Sequence, residues 1–471
     1  MAISISNRTS KPNTMPAHYQ SLNPATGKVV KVFPQATDAE VHSALDKAQE
    51  AFTKDWRFRP IAERAQVIGR AADLVRERRS ELAAIITLEM GKLIGEAEGE
   101  VALSADILSF YAKNGPDFLK DQPVPGAPGA FVSSEPLGVI LAVEPWNFPI
   151  YQLARVAGPQ LVAGNVIITK HARNVPALAA AFEQILTDAG APKGVYTNLF
   201  CSFDHINWLI DDFRVRGVTL TGSEGAGTAV AERAGRQLKK VVLELGGSDP
   251  FIVLEDADMS LAVEKGAQAR LENCGQVCVC AKRFIVVGRE RGVQFLEGLT
   301  KVFKSLKIGD PADRQSTLGP LSSESAAIEL EKQVKDAKAH GAQVLLGGNR
   351  INRPGFYFEP TIITNISPEN PIYQQETFGP VAALYVVDTE EEAIELANVT
   401  KFGLGAMVFS QDVKHAQDVA RKIDSGMVYI NSGAWLDPAL PFGGVKNSGF
   451  GRETGESGIH ELVNKKLIRT A

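Results

Sequence analysis

Three of the four cysteines of this chain lie in one short stretch, NCGQVCVCAKRF at 273–284, as Cys274, Cys278 and Cys280. A zinc cage does not fit them, because the spacing C-x₃-C-x-C supplies no second ligand pair and the seven histidines are scattered. A disulfide between Cys278 and Cys280 is sterically possible but tight, so it suits a reducible switch better than a staple. Two further alternatives are open: a nucleophile whose pKa is lowered in a Gly-flanked turn after a helix, and a buried apolar cysteine.

Two other polar residues stand at positions where chemistry is plausible. Glu244, in VLELGGSDP, ends a predicted parallel strand, where a carboxylate can act as a general base or, alternatively, cap a helix or lie on the surface. Asn147, in EPWNFP, lies in a rigid turn that can aim its amide at a developing oxyanion, although a structural turn asparagine fits equally well. The glycines of TLTGSEGAG can bring backbone amides close to a pyrophosphate, but no complete G-x-G-x-x-G is present.

Length and composition describe an enzyme-sized protein without a nucleic-acid or membrane partner. The chain has 471 residues, 44% of them hydrophobic and 22% charged, with a net charge of −5. Two or three domains are expected at this length, and the charge lacks the basic excess of a nucleic-acid binder. No run is long and apolar enough to span a membrane. The four cysteines show no framework spacing, which favours a reducing, cytoplasmic location.

The first 20 residues lack the apolar core of a secretory signal and are interpreted as a frayed tail. They contain no acidic residue and do contain Arg8, Lys11, Ser and Thr, so a short organellar presequence is the alternative.

The elements that must position these residues follow from the hydrophobic periodicity. Helical spacing runs from Ala62 to about Asn114, and the Pro- and Gly-rich segment KDQPVPGAPGAFVSSEP then predicts a hairpin arm. From LGVILAV to VVLELGG, short apolar strands alternate with helices, which predicts a doubly wound parallel sheet that should hold a nucleotide. A second α/β run follows, and ELVNKKLIRT is available as an edge strand.

Seven motifs taken together resemble those of one known family. EPWNFP, KHARNVP, TGSEGAG, ELGGSDP, GQVCVCAKRF, ETFGPV and PFGGVKNSGFGRE occur in the order typical of NAD(P)-dependent aldehyde dehydrogenases, over roughly residues 20–471. Within that family the chain is most similar to bacterial succinate-semialdehyde dehydrogenases, especially the short branch with KHA and GGSDPF.

The resemblance implies three structural parts and a homodimer or homotetramer. A Rossmann-like nucleotide-binding domain is expected at 1–120 and 138–246, and an α/β catalytic domain at 247–446. The oligomerisation arm and C-terminal strand are expected at 121–137 and 447–471.

The resemblance also implies roles for individual residues. Cys278 is expected to be the nucleophile, Glu244 the base, and Asn147 the oxyanion donor together with the Cys278 backbone N–H. The cofactor-binding residues implied in the same way are Trp146, Lys170 at the adenosine ribose, Gly222, Ser223 and Gly227 at the pyrophosphate, and Glu376 and Phe378 at the nicotinamide ribose. No metal is implied.

Cofactor choice is predicted from Arg173, three residues after Lys170. Many NAD-using relatives place a glutamate there, which would repel a 2′-phosphate, whereas arginine attracts it. We therefore expect NADP to be used at least as well as NAD. The alternative is an arginine that points outward and has no role.

Substrate choice is predicted from cations that can meet a carboxylate tail. Arg155 matches the substrate-binding arginine of succinate-semialdehyde dehydrogenases, and Arg270 matches the short bacterial branch, although other members carry that arginine where this chain has Glu272. Structural ion pairs are the alternative for both. Trp435 and Leu436 replace a serine that relatives offer to the carboxylate, so another aliphatic or aromatic aldehyde stays open as the substrate.

Cys280 reproduces a Cys-x-Cys pattern that some of these enzymes use as a redox switch, so oxidation is expected to join it to Cys278. Two other classes are weighed against the dehydrogenase: a silent family member and an acyl transferase to coenzyme A. Retention of Cys278, Glu244 and Asn147 argues against the first, and the glutamate base argues against the second.

Overall fold

The computed structural model describes residues 18–470. The predicted frayed tail therefore lies outside the described residues up to position 17, and its last two residues already belong to a strand. The N-terminal part contains an antiparallel hairpin and four helices, the last of which leads into a second, short hairpin. These elements are β1 (Tyr19–Asn23), β2 (Lys28–Phe33), α1 (Asp38–Lys54), α2 (Ile61–Glu77), α3 (Arg79–Met90), α4 (Ile94–Phe118), β3 (Gln122–Pro123) and β4 (Ala130–Pro136).

The first α/β unit alternates strands and helices as the hydrophobic pattern predicts. Its elements are β5 (Val139–Glu144), α5 (Pro149–Ala163), β6 (Val166–His171), α6 (Pro176–Asp188), β7 (Tyr196–Asn198), α7 (Phe203–Asp211), β8 (Val215–Thr221), α8 (Glu224–Arg236) and β9 (Lys240–Glu244). The strands β5 to β9 pair in parallel, and β6 is buried along its whole length. A fully covered parallel strand explains the near-continuous apolar run VIIT in the sequence.

The second α/β unit carries most of the remaining chain. Its elements are β10 (Asp249–Val253), α9 (Met259–Leu271), β11 (Ala281–Val287), α10 (Arg289–Ser305), α11 (Glu324–Ala339), β12 (Gln343–Leu346), β13 (Thr361–Thr364), β14 (Val381–Val387), α12 (Glu390–Asn398), β15 (Phe402–Gly403), β16 (Gly405–Phe409), α13 (Val413–Ala420) and β17 (Met427–Ile430). Its seven-stranded sheet has the order β12-β13-β14-β11-β10-β16-β17, with only β12 antiparallel. The predicted α/β architecture with parallel sheets is thus confirmed.

The C-terminal residues return to the earlier sheets. They form β18 (Val445–Lys446), β19 (Gly449–Phe450), α14 (Gly455–His460) and β20 (Val463–Arg469). β20 pairs antiparallel with β4 along all seven of its residues and forms a three-stranded sheet with the β3–β4 hairpin. β19 instead pairs with β9, so the segment 447–471 is shared between the arm and the first sheet. The predicted domain boundaries stay a prediction.

The strand order of the first sheet determines where a ligand can lie. That order is β19-β9-β8-β5-β6-β7, so the chain leaves β5 in one direction and later returns to its other side at β8. In open parallel sheets a crevice forms at such a switch point, outside the carboxyl ends of the strands. Asn147 follows β5, Ser223 follows β8 and Glu244 ends β9, so all three lie at this edge.

Candidate active site

The cysteine-rich stretch forms a tight loop between α9 and β11. Asn273, Cys274 and Gly275 have φ angles of 50°, 56° and 74°, so three successive residues adopt the left-handed conformation. A Cβ on Gly275 would lie 2.3 Å from the carbonyl oxygen of Gly379, so only glycine fits there. This turn reverses the chain and presents Cys278, which is a free, half-buried thiol.

Burial raises the pKa of the Cys278 thiol to about 12, although nearby Lys282 and Arg155 oppose this shift. The carboxylates of Glu244 and Glu376 raise the pKa further, so they lie within electrostatic reach of the sulfur. The nucleophile alternative supposes a lowered thiol pKa, whereas in the structure burial outweighs the two nearby cations and the pKa of Cys278 is shifted upward. A base or an additional positive charge beside the sulfur would favour its ionisation.

Lys282 is buried next to the loop that carries Cys278. Its Nζ donates to the backbone carbonyls of Val277, at 3.0 Å, and Cys278, at 2.6 Å. The same atom forms an ion pair with Glu376 Oε1 at 3.0 Å. Burial lowers the pKa of Lys282, but Cys280, Glu376 and Asp249 outweigh it, so the net shift is upward and the ammonium is retained.

Asn147 is connected directly to the cysteine loop. Its Nδ2 donates to the Gln276 carbonyl at 3.1 Å, and its own carbonyl accepts from Asn273 Nδ2 at 2.9 Å. On the other side, His171 Nε2 lies 2.9 Å from the Pro149 carbonyl, and its Nδ1 lies 3.1 Å from the Glu144 carbonyl and 2.9 Å from the Ala172 N–H. Burial lowers the pKa of His171 to about 4, which favours the neutral imidazole.

Glu244 lies at the end of β9 and is 2% exposed. Within residues 18–470, neither of its carboxylate oxygens has a hydrogen-bond partner. Burial raises its pKa well above the ordinary value, the charge of Glu453 raises it further, and Arg155 and Arg452 lower it. A buried, unpartnered carboxyl group with a raised pKa has the properties of a general base that waits for water or substrate.

The two predicted substrate arginines are both buried and engaged. Arg155 Nε lies 2.7 Å from Glu453 Oε2, and its Nη2 donates to Thr221 Oγ1 at 2.9 Å. Arg270 Nη2 donates to the Gly275 carbonyl at 2.7 Å and to Cys280 Sγ at 3.0 Å. The described contacts thus fit the alternative in which both arginines have a structural role. Arg155 neutralises a buried carboxylate, and Arg270 is hydrogen-bonded to the loop that carries Cys278. A substrate role for either stays a prediction.

A narrow cleft of about 10 Å³ lies at the loop that carries Trp435 and Leu436. Trp435 and Leu436 line it together with Tyr151, Tyr429 and Phe442. The Arg155 guanidinium lies 5.0 Å from the ring centres of both Tyr151 and Phe442, directly behind this lining. The loop that the sequence associates with the substrate tail therefore does border a cleft, and its lining is mostly apolar and includes four aromatic side chains.

The predicted cofactor residues fall into three places along the edge of the first sheet. Lys170 Nζ and the Arg173 guanidinium each lie 5.4 Å from the Phe203 ring centre, which gives two cations on one aromatic ring. Ser223 caps α8 by accepting the Ala226 N–H, and a Cβ on Gly227 would lie 2.6 Å from the Leu245 side chain. The rings of Trp146 and Phe378 meet edge to face at 5.8 Å.

The cations and hydrogen-bond donors at these three places match the groups of a dinucleotide. Two cations fit a phosphate on the adenosine ribose, and the exposed N–H groups at the start of α8 fit a pyrophosphate. The Glu376 carboxylate accepts the Gly247 N–H at 3.1 Å, and it also pairs with Lys282 next to the loop that carries Cys278. Burial lowers the pKa of Lys170 to about 8, a shift that Cys201 opposes and Arg173 reinforces, so an added anion would strengthen its charge.

Cys280, the predicted redox partner, lies directly behind the loop. It is buried and free, and its Sγ donates to the Val277 carbonyl at 2.9 Å. One residue separates it from Cys278, so the short link itself keeps the two thiols near each other.

Several residues that shape this site are absent from the sequence prediction. Lys282, Asn273 and Glu453 have partners far along the chain, and the motifs alone do not reveal them. Lys282 could have been suspected, since a lysine four residues after a nucleophile is a nearby cation. His171 stands inside the KHA motif and yet was given no role.

No group of three His, Cys, Asp or Glu side chains that could hold a metal ion occurs in residues 18–470. Across the same residues, the search for membrane spans finds no helix with the length and apolar character to cross a bilayer.

An open parallel sheet with Asn147 and Glu244 at its switch-point edge, together with the Cys278 loop of the second unit, agrees with the class of protein that the motifs predict. The chain belongs to the aldehyde dehydrogenase family, which it matches over residues 11–468. It is an enzyme of that family, as the motifs predicted.

Three similar proteins show which members of the family this chain resembles. Succinate-semialdehyde dehydrogenase [NADP(+)] of Deinococcus radiodurans is 49% identical over 96% of this chain and 94% of that protein. Succinate semialdehyde dehydrogenase [NAD(P)+] Sad of Escherichia coli is 44% identical over 97% of this chain and 98% of that protein. The solved structure of the Streptococcus pyogenes succinic semialdehyde dehydrogenase in complex with NADP+ is 46% identical, with a TM-score of 0.94 over 96% of this chain and 99% of that one.

Proposed function

We propose that this enzyme oxidises succinate semialdehyde to succinate and reduces NADP+, with NAD+ as an equal or poorer alternative. The observation that carries the proposal is the meeting of Cys278, Asn147 and Glu244 at the switch point of the first sheet, beside a cation pair suited to a 2′-phosphate. The names of the relatives in Deinococcus radiodurans and Escherichia coli support the same substrate and cofactor.

The first step is addition of the Cys278 sulfur to the aldehyde carbon. A C–S bond forms, the thiol proton passes to the Glu244 carboxylate and from there to solvent, and the carbonyl oxygen becomes a hemithioacetal oxyanion. The Asn147 amide has two N–H donors, of which one is bonded to the Gln276 carbonyl. The other N–H and the backbone N–H of Cys278 stabilise the oxyanion in a site from which water is largely excluded.

Oxidation and release complete the reaction. A bound nicotinamide supplies the hydride acceptor, and loss of the hydride leaves an acyl thioester on Cys278. Glu244 takes a proton from a water molecule, which attacks the thioester carbon. The C–S bond then breaks, succinate leaves, and Cys278 regains a proton. The unpartnered carboxylate of Glu244 suits this step because no protein donor competes with the water.

The binding roles that the family resemblance implies are part of the same proposal, and the contacts of these residues support them. Lys170 and Arg173 hold the adenosine ribose and its 2′-phosphate, the first turn of α8 with Gly222, Ser223 and Gly227 holds the pyrophosphate, and Glu376, Phe378 and Trp146 hold the nicotinamide ribose. We further propose that Arg155 attracts the substrate carboxylate electrostatically through the aromatic wall of the cleft. Homo-oligomerisation through the β3–β4 arm and β20, and a cytoplasmic location, belong to the same proposal.

The test is a panel of aldehydes with both cofactors. We expect kcat/KM for succinate semialdehyde to exceed that for butanal, a neutral aldehyde of equal carbon number, by roughly 100-fold, which corresponds to one charge-assisted contact. Arg155→Ala should reduce that ratio, and Cys278→Ala should abolish oxidation of both aldehydes. Equal rates for the two aldehydes in the wild type would refute the substrate proposal. An unchanged ratio in Arg155→Ala would refute the role of Arg155.

A further inference from the structure

The first two turns of α4 carry two carboxylates that reach the catalytic loops. Glu96 and Glu100 are four residues apart, so they project from the same face of the helix. Glu96 Oε1 accepts the backbone N–H of Asn273 at 3.2 Å. Glu100 Oε1 accepts the backbone N–H groups of Ile150 and Tyr151 at 3.0 Å and 3.2 Å.

These three N–H groups lie in or next to the two segments proposed to form the oxyanion site. Asn273 begins the left-handed turn that leads to Cys278. Ile150 and Tyr151 are in the first turn of α5, three and four residues after Asn147. One helix therefore holds both the loop of the nucleophile and the loop of the oxyanion donor.

The Glu100 side of this arrangement is neutralised by a buried lysine. Lys92 and Glu100 form an ion pair with both side chains 1% exposed. The Lys92 ammonium also lies 3.5 Å from the ring centre of Phe148, the residue that follows Asn147. The charge of Glu100 is thus balanced, and its contact with α5 resembles a helix cap supplied from a neighbouring helix.

The Glu96 side supports a backbone that does not adopt its conformation readily. Asn273 and Cys274 have positive φ angles without being glycine, and such residues need surrounding contacts to hold them. Glu96 provides one contact at the start of the turn. Asn273 in turn donates through Nδ2 to the Asn147 carbonyl, so a shift of Asn273 would move Asn147 as well.

We propose that Glu96 and Glu100 are positioning residues that set the placement of the Asn147 amide relative to Cys278 by tying both catalytic loops to α4. This inference rests on the proposed function only for its kinetic readout. It concerns the enzyme's own loops and needs no particular aldehyde.

The charges around Glu96 make the hydrogen bond between its carboxylate and the Asn273 N–H sensitive to pH. Burial raises the pKa of Glu96 to about 7, Glu272 raises it further, and the Asn273 N–H and Lys92 oppose the shift. Cys274 also faces it electrostatically, and Glu264 and Lys301 line the adjoining groove. A carboxylate accepts a stronger hydrogen bond than a protonated carboxylic acid does. The hydrogen bond from Asn273 to Glu96 therefore weakens as the pH falls through the pKa of Glu96.

The experiment compares Glu96→Ala, Glu96→Gln and Glu98→Ala. Glu98 lies on the same helix but pairs with Arg314 at the surface, so it is the matched control. We expect Glu96→Ala to lower kcat by about tenfold to 100-fold with KM changed less than about threefold, since small displacements of catalytic groups cost that much. Glu96→Gln, which keeps the acceptor oxygen, should recover most of kcat and lose the decline in rate below pH 7.

Alkylation of Cys278 by iodoacetamide, followed by mass spectrometry without aldehyde or cofactor, gives a second readout. Its rate should change in Glu96→Ala and not in Glu98→Ala. Similar kcat and alkylation rates in all three variants would overturn the inference. If Glu96→Ala does not fold, a decline in rate below pH 7 that is unchanged in Glu96→Gln would overturn it as well. Failure of the wild type to oxidise succinate semialdehyde would refute the proposed substrate but leave the alkylation result valid.

Discussion

Lys282 forms an ion pair with Glu376 over 3.0 Å and, with the same nitrogen, donates to the carbonyl of Cys278 at 2.6 Å. The residue proposed to hold the nicotinamide ribose is thereby connected to the nucleophile through one buried ammonium group. A ligand that draws Glu376 away would leave the charge of Lys282 less balanced next to the sulfur. If Glu376 holds the cofactor as proposed, this arrangement predicts that cofactor binding and thiol ionisation are electrostatically coupled.

Replacing Lys282 with Met should make Cys278 less reactive. Lys282 is the foremost group that lowers the pKa of this thiol, so its loss raises that pKa further. Each pKa unit reduces the thiolate fraction about tenfold at a fixed pH below the pKa, and we expect at least that loss in the alkylation rate at pH 9. Lys282→Arg, which keeps the charge, is the control. An alkylation rate in Lys282→Met equal to that of the wild type would show that the lysine does not act on the sulfur.

Arg173→Glu should shift cofactor preference toward NAD+. The substitution places a carboxylate where we propose that the 2′-phosphate binds, beside Lys170 and Phe203. We expect kcat/KM for NADP+ to fall by about tenfold to 100-fold, the value of one charge-assisted contact, with NAD+ little affected. Arg236→Glu, which alters a surface arginine of α8, controls for the change in net charge. A wild-type enzyme that favours NAD+ by tenfold or more would contradict the assignment of Arg173.

Cys280→Ala should remove reversible protection against peroxide. In the wild type, peroxide oxidises Cys278 to the sulfenic acid, and the Cys280 thiol displaces water to form a disulfide that dithiothreitol reduces. Without Cys280, oxidation proceeds to acids that dithiothreitol does not reduce, so activity is lost permanently. The measurement is activity after peroxide and again after dithiothreitol, with Cys201→Ala as the control. Equal loss and equal recovery in wild type and Cys280→Ala would dismiss the switch.

Glu89→Gln should change how stability depends on pH. Glu89 is buried and accepts the N–H groups of Ala177 and Leu178 at the start of α6, at 2.9 Å and 3.1 Å. Burial raises its pKa from 4.5 to about 7, so the folded protein binds this proton more tightly than the unfolded chain. The associated stability is complete below pH 4.5 and is lost as the pH rises through 7, with a total of about 3 kcal/mol.

The measurement is urea unfolding of wild type and Glu89→Gln at pH 5 and pH 8. The difference between their free energies of unfolding should move in favour of the variant as the pH rises. Glu98→Gln, a change at a half-buried residue that pairs with Arg314, should show no such trend. A constant difference between wild type and Glu89→Gln would mean that Glu89 has the same pKa in the folded and unfolded states.

The sequence predicted the elements of the first sheet because each strand and helix there has its own hydrophobic period. It also placed Glu244 at the end of a parallel strand and Asn147 in a turn, and the fold brings both to one edge of the sheet. It missed the β1–β2 hairpin, whose β2 is almost entirely exposed and so lacks the alternation that marks a half-buried strand.

What the sequence could not supply is the pairing of charges that are remote along the chain. Arg155 reads as a substrate ligand from its motif, yet the folded protein places Glu453 against it at 2.7 Å. The same applies to the pKa of Cys278, which depends on how completely the folded chain removes water from the sulfur. Burial is a property of the assembled tertiary structure, and no local spacing of residue types encodes it.

The outer strand β20 pairs with β4 on one side only, and Lys465, Lys466 and Arg469 are exposed along it. Like charges placed directly opposite each other destabilise a strand pair, so these cations disfavour pairing with a strand that sets lysine or arginine against them. We therefore expect a strand added at this edge, whether from this chain's partner copy or elsewhere, to be one whose facing side chains are acidic or neutral.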